Sequence, residues 1–298
     1  MRLDSHQHFW KVSRGDYYWM SPQVPVLYRD YFPEDLKPSL IENHIDKTIL
    51  VQAAPTVAET DFLLELAERT DFVAGVVAWL DMEAADFPDQ LAKYCQIPKF
   101  VGIRLLLEDL PDDAYILKPP VLASLKAVAE HGLSFDFLTY VRHLPYVLKA
   151  LEKVPNLRAV VDHISKPEIR LKKMEPWKSL IREVAQHSNV YCKLSGMITE
   201  ADHKNWIPDD LRPYVEHVVG CFGLERVMFG SDWPVCLLAG SYAQVIEALR
   251  GILKPVSAGA AEVGVFGSNA SRFYGLEEVS IHEADRGSDQ HSQRRAGR

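Results

Sequence analysis

Hydrophobic residues in this chain gather in short continuous runs, separated by longer stretches in which apolar positions recur every three or four residues. The runs fall at Arg2–His6, Thr48–Ala53, Phe72–Leu80, Phe100–Leu107, Leu133–Leu138, Leu157–Asp162, Val190–Leu194 and Arg226–Gly230. Most, such as TILVQAA and FVGIRLLL, lack the polar alternation of a half-exposed strand. Apolar at nearly every position is how a strand buried on both faces reads, as in a parallel sheet covered by helices. The intervening VAETDFLLELAERT, PVLASLKAVAEHG and LPYVLKALEKV carry the helical period. Thr56 and Thr139 stand where helix N-caps are expected, and Gly132 where a helix would stop.

Eight strand–helix repeats predict an α/β fold of the (β/α)8 TIM-barrel type, not a doubly wound sheet. A single domain, residues 1–276, holds all of them, and no linker or change of composition divides it. Residues 11–33, rich in aromatics and proline, are expected to form a long first loop over the barrel mouth. From 277 to 298 the hydrophobic pattern lapses and a disordered C-terminal tail is expected, whose His282 and His291 carry no site signal.

Composition fits this picture. The chain has 298 residues, 47% hydrophobic and 25% charged, enough to bury a core without disulfides or a structural metal. A net charge of -8 and the lack of a Lys/Arg block argue against nucleic acid or an anionic membrane as partner. The apolar runs are strand-sized, so no membrane span is expected. Cys95, Cys192, Cys221 and Cys236 have no paired spacing and read as free thiols. No basic-then-apolar leader precedes the first strand, so the expectation is a cytoplasmic protein acting on a small molecule, with oligomer formation left open.

Candidate chemistry sits where strands end, the place where barrels of this type build their sites. The first run closes on Asp4-Ser5-His6-Gln7-His8. Alternate strand residues share a face, so Asp4, His6 and His8 are expected to point into the mouth together. Paired imidazoles suit a divalent metal or a polarised carbonyl; the alternative is a hydrogen-bonded structural pair. The eighth run empties into Ser231-Asp232-Trp233-Pro234. Asp232 can orient and deprotonate water, ligate a metal, or simply cap a helix. Strands one and eight are neighbours in a closed barrel, so His6, His8 and Asp232 form a possible mononuclear metal site. His163, after the sixth run and beside Asp162 and Lys166, joins Asp232 as a catalytic candidate, with a satisfied core histidine as the alternative.

Arg104, Lys193 and Asp136 lie within strands, where a charge demands a substrate oxygen or an internal counter-ion. These three, with Trp19 and Trp233, are the candidate substrate-binding residues, while Trp10, Tyr17 and Tyr18 flank the same mouth as contacts or as packing. No Walker loop, GxGxxG or GxSxG occurs, which leaves nucleotide-binding and serine-hydrolase readings without support.

Taken together, DSHQHFW, VVDHISKP, CKLSG and FGSDWPVC resemble the metal-dependent hydrolase (amidohydrolase) superfamily across roughly residues 1–276, and within it the amidohydrolase-related lactonase branch. LSGMITEAD and MFGSDWPVCLLAGSY are similar to the L-fuconolactonase group, beside the L-rhamnonolactonases. The resemblance implies a lactonase, a carboxylic ester hydrolase that opens a sugar-acid lactone in carbohydrate catabolism. It implies that Asp232 activates water, and that His6, His8 and His163 bind zinc or hydrogen-bond the lactone carbonyl. It further implies one Zn2+ that is bound yet dispensable for activity. Arg104 and Asp136 occupy the strand-four and strand-five places where two-metal members carry a lysine or glutamate and a histidine, so a binuclear site is not expected. Leu105 stands where sugar lactonases of the branch have histidine, which leaves the sugar open. The rival readings are a zinc-dependent non-oxidative decarboxylase and a lactonase for pyrone or muconolactone carboxylates.

Overall fold

Eight parallel strands appear in the expected order: β1 (Leu3–Gln7), β2 (Lys47–Val51), β3 (Val73–Ala78), β4 (Phe100–Leu106), β5 (Ser134–Leu138), β6 (Arg158–Val161), β7 (Val190–Leu194) and β8 (Val227–Phe229). The computed structural model describes residues 1–257 and 259–276, so the expected tail lies outside the described residues. Each strand pairs with the next in chain order. The chain just past β8 then returns to β1, where Asp232 N–H donates to the His6 carbonyl and His8 N–H to the Trp233 carbonyl, both at 2.8 Å. The result is a nearly closed TIM barrel. Around it run α1 (Pro33–Glu42), α2 (Val57–Glu68), α3 (Phe87–Tyr94), α4 (Pro119–Glu130), α5 (Leu144–Lys153), α6 (Trp177–Val184), α7 (Pro208–Phe222) and α8 (Tyr242–Ser257).

The barrel interior is layered. Leu3, Ile49, Val51, Val77, Val160 and Met228 fill one level with β-branched and flexible side chains. Helix Asn269–Tyr274 packs Ala270, Phe273 and Tyr274 against them. Each such side chain contributes about 1.5–3 kcal/mol on leaving water. A second level is charged. Arg104, Asp136, Asp162 and Lys193 all lie inside, nearly or wholly shielded from solvent.

Local signals explain how the strand exits are pinned. Thr56 caps α2 by accepting from Glu59 N–H at 3.1 Å, and its hydroxyl donates to Asp16 of the first loop at 2.8 Å. The Glu59 carboxylate in turn accepts from the Ala53 and Ala54 amides at the end of β2. One helix start therefore fixes both a loop and a strand exit. Thr56→Ala is expected to remove about 1 kcal/mol and to lower Tm by roughly 2–4 °C in a thermal melt, with Thr56→Ser close to the parent.

Two local expectations need correction. Thr139 caps no helix: its hydroxyl bonds the Ser165 hydroxyl at 2.7 Å, and Tyr140 begins the turn that follows. Asp4 does not share the face of His6 and His8. The β1–β2 register shifts between Asp4 and Gln7, and an extra residue in one strand breaks the two-residue alternation. Asp4 turns instead toward α8, accepting from Ser231 N–H at 2.9 Å and the Tyr242 hydroxyl at 3.0 Å. Gly132 does follow α4 with φ +67°, a stop that a side chain would strain. All four cysteines are free, and among the described residues no helix is long and apolar enough to cross a membrane.

Candidate active site

The strand C-terminal ends open into a cavity of about 580 Å³. Residues of the first loop, Trp19, Met20, Val24 and Leu27, form an apolar wall, joined by Leu106, Leu138 and Val235. Trp19 is held in place by its indole N–H, which donates to the Ala53 carbonyl at 2.7 Å.

At the opposite extreme of polarity, three imidazoles surround one carboxylate oxygen. Asp232 Oδ1 lies 3.4 Å from His8 Nε2, and 3.8 Å from both His6 Nε2 and His163 Nε2. His8 Nδ1–H donates to the Val51 carbonyl at 2.7 Å, since a carbonyl can only accept. His8 Nε2 therefore presents its lone pair toward Asp232 and toward His6 Nε2, 3.2 Å away. Burial disfavours a charged ring and lowers the His8 pKa, which keeps His8 Nε2 an acceptor. A divalent cation fits that gap. His6, His8 and Asp232 supply two imidazole nitrogens and one carboxylate oxygen within 4.8 Å of one another, and the fixed tautomer of His8 is the outer-sphere support such a ligand needs. His6, Asp162 and His163 form a second group of that kind.

Burial works against charge on Asp232, but the neighbouring His163 and Lys166 favour it and hold the carboxyl below its ordinary value. Burial also holds the imidazoles of His6 and His163 well below 6.5. The site is thus an ionised carboxylate among neutral imidazoles.

His163 reaches this position on an unusual turn. His163, Ile164, Ser165 and Lys166 have φ of 53, 49, 62 and 46°, four left-handed residues in succession. Each costs about 1–2 kcal/mol relative to the right-handed conformation, and such strain collects at functional sites. The turn brings both His163 and Lys166 to the cavity wall. His163 Nδ1 is 2.8 Å from the Ser195 hydroxyl, and Gly196 passes so close that a Cβ there would sit 2.5 Å from His163 Nδ1. Gly196→Ala is expected to displace the imidazole and lower kcat/KM by about 10²-fold, with the fold retained by circular dichroism.

The expected site residues divide into two sets. His8, His163, Asp232, Arg104 and Trp19 line the cavity, and His6 lies fully buried beneath it. Lys193 and Asp136 do not reach the cavity: Lys193 Nζ bonds Asp136 at 2.5 Å and Asp162 at 3.0 Å within the barrel. These two residues satisfy each other inside the barrel, although Arg104, in register with Asp136 on the neighbouring strand, does reach the cavity. Trp233 is also away from the cavity, packed edge-on against Phe9 and Tyr31. Trp10 and Tyr17 are buried packing, while Tyr18 is largely exposed with its hydroxyl on Asp109 at 2.5 Å. Sequence reasoning missed Glu108, Asp109 and His203 on the cavity wall. The acidic pair ending GIRLLLED was the available signal for the first two. Nothing marked His203.

A parallel barrel with HxH on its first strand and an aspartate after its eighth, converging on one polar pocket, defines a metal-dependent-hydrolase type of site. The chain belongs to the amidohydrolase family, which matches residues 3–276. It is 41% identical to the L-fucono-1,5-lactonase of Burkholderia ambifaria, covering 98% of this chain and 99% of that one. It is 34% identical to the L-fucono-1,5-lactonase of Burkholderia multivorans, covering 93% and 97%. A crystal structure of an amidohydrolase from Burkholderia multivorans with bound zinc superposes with a TM-score of 0.89 at 33% identity, over 93% of this chain and 100% of that one.

Proposed function

We propose that this enzyme hydrolyses a neutral sugar-acid lactone of the L-fucono-1,5-lactone kind. The observation that carries the reading is an ionised Asp232 ringed by His6, His8 and His163 at a cavity whose cations are already matched. Arg104 is paired with Asp162 at 3.2 Å and Lys166 with Glu108 at 2.5 Å. A pyrone or muconolactone carboxylate would need a free cation on the wall, and a neutral polyol lactone does not. The two Burkholderia lactonases, similar over nearly their whole length, support the same reading.

Asp232 holds a water by accepting its hydrogen bond and takes one proton as the oxygen adds to the lactone carbonyl carbon. Charge that develops on the carbonyl oxygen meets the His163 imidazole on the cavity wall. The ring C–O bond then breaks, and Asp232 returns the proton to the leaving alkoxide, giving an open hydroxy acid. A divalent ion held by His6, His8 and Asp232 would supply Lewis acidity at the carbonyl and acidify a bound water.

The direct test is acid release from a panel of 1,4- and 1,5-aldonolactones, pyrone and muconolactone carboxylates. Turnover of a 6-deoxy-aldonolactone is expected; a panel silent on every aldonolactone would sink the assignment. Metal binding has its own readout. Zn2+ at about 100 times its Kd is expected to stabilise the fold by about 2.7 kcal/mol, seen as a Tm increase that a chelator reverses.

A further inference from the structure

One buried charged pair of the cavity wall, Glu108 and Lys166, takes no direct part in that mechanism. Glu108 stands on the 3-10 turn Leu107–Asp109 after β4, and Lys166 on the left-handed turn after β6. Their charged atoms are 2.5 Å apart and their side chains only 13% and 17% exposed. Each is braced from outside the cavity. Arg142 donates to the Glu108 carbonyl at 3.2 Å, and the Lys166 ammonium rests 5.3 Å from the centre of the Tyr140 ring.

Stability does not account for this arrangement. The desolvation cost of a buried ion pair roughly offsets its attraction, and apolar side chains of the same volume hold a fold as well or better. Placing Lys166 there also requires a left-handed φ of 46°. What the pair does offer is an acceptor-only carboxylate beside a donor-only ammonium. A hydroxyl is both donor and acceptor, so neighbouring hydroxyls of a sugar can give to Glu108 and receive from Lys166 at once. A substrate carboxylate has nothing to give, and Glu108 repels it.

We propose that Glu108 and Lys166 together read the vicinal hydroxyls of the lactone and exclude carboxylated lactones, a specificity role that rests on the lactonase reading above. The Tyr18 hydroxyl, bonded to Asp109 beside Glu108, ties the first loop to the same wall.

The test compares L-fucono-1,5-lactone with δ-valerolactone, a six-membered lactone without hydroxyls. Glu108→Gln and Lys166→Met are each expected to raise KM for the sugar lactone by about 10- to 100-fold, the value of hydrogen bonds to charged groups. For δ-valerolactone the rise in KM should be at least about 10-fold smaller than for the sugar lactone. Glu108→Ala, which frees Lys166, is expected to bring a muconolactone carboxylate within measurable turnover. Equal losses on both rings would mean a structural brace and overturn the proposal, as would an unchanged KM for the sugar. A parent enzyme that opens δ-valerolactone but no aldonolactone refutes the substrate reading itself, and the two failures are thereby distinguished.

Discussion

Asp232→Asn is expected to leave a folded protein whose kcat on the lactone falls by about 10²- to 10⁴-fold, the range a positioned general base supplies. Asparagine is the informative replacement for a reason specific to this backbone. Asp232 has φ +57°, a conformation that asparagine tolerates and alanine does not. The Asp232 N–H bond to His6 that helps close the barrel is a main-chain contact and survives. The new amide can donate to the free lone pair of His8 Nε2, so the cavity keeps its shape while losing a group that can take a proton. KM should change little, because the carboxylate acts on water and not on the sugar. Steady-state kinetics with a thermal melt check both parts. A kcat within about 3-fold of the parent, on a protein of unchanged Tm, would remove Asp232 from the chemistry.

Much of this site was legible because it depends on topology. Strand count fixes which ends meet, and His6, His8, His163 and Asp232 all lie at the ends of apolar runs, so their convergence follows from barrel closure. What was not legible depends on local departures from regularity. A shift of register inside β1 turns Asp4 outward although the two-residue period places it with His6. Trp233 adjoins Asp232 in sequence, yet its ring packs edge-on against Phe9 and Tyr31 and not on the mouth. The left-handed turn from His163 to Lys166 has no glycine to announce it. Lys193 and Asp136 were recognisable as charges needing partners, but whether the partner is a ligand or a counter-ion is set by which side chains meet inside the barrel, which a pattern of residue types does not contain.

That internal pair should be the most sensitive point of the fold. Lys193→Met is expected to destabilise the protein by about 3–5 kcal/mol, the usual result of orphaning a buried counter-charge. Lys193 serves three neighbours: Asp136 at 2.5 Å, Asp162 at 3.0 Å and His6 Nδ1 at 3.1 Å. Asp162 keeps Arg104 when the lysine is gone. Among the described residues Asp136 then keeps the Tyr274 hydroxyl, at 3.0 Å. The cost therefore falls on Asp136, which escapes it by holding a proton in the folded state. A carboxyl whose folded pKa is raised loses stability as pH rises from its unfolded value, 3.8, through its folded one. Burial already raises Asp136 to about 6 in the parent and losing the lysine raises it further, so the deficit of Lys193→Met should widen as pH rises above about 6. Adding Asp136→Asn removes the stranded charge and should recover part of the loss, a coupling that a double-mutant cycle in urea measures. If the single variant lay within about 1 kcal/mol of the parent at neutral pH, the charged layer would be dispensable to folding. Its only remaining effect would then be to steady His6 beneath the site.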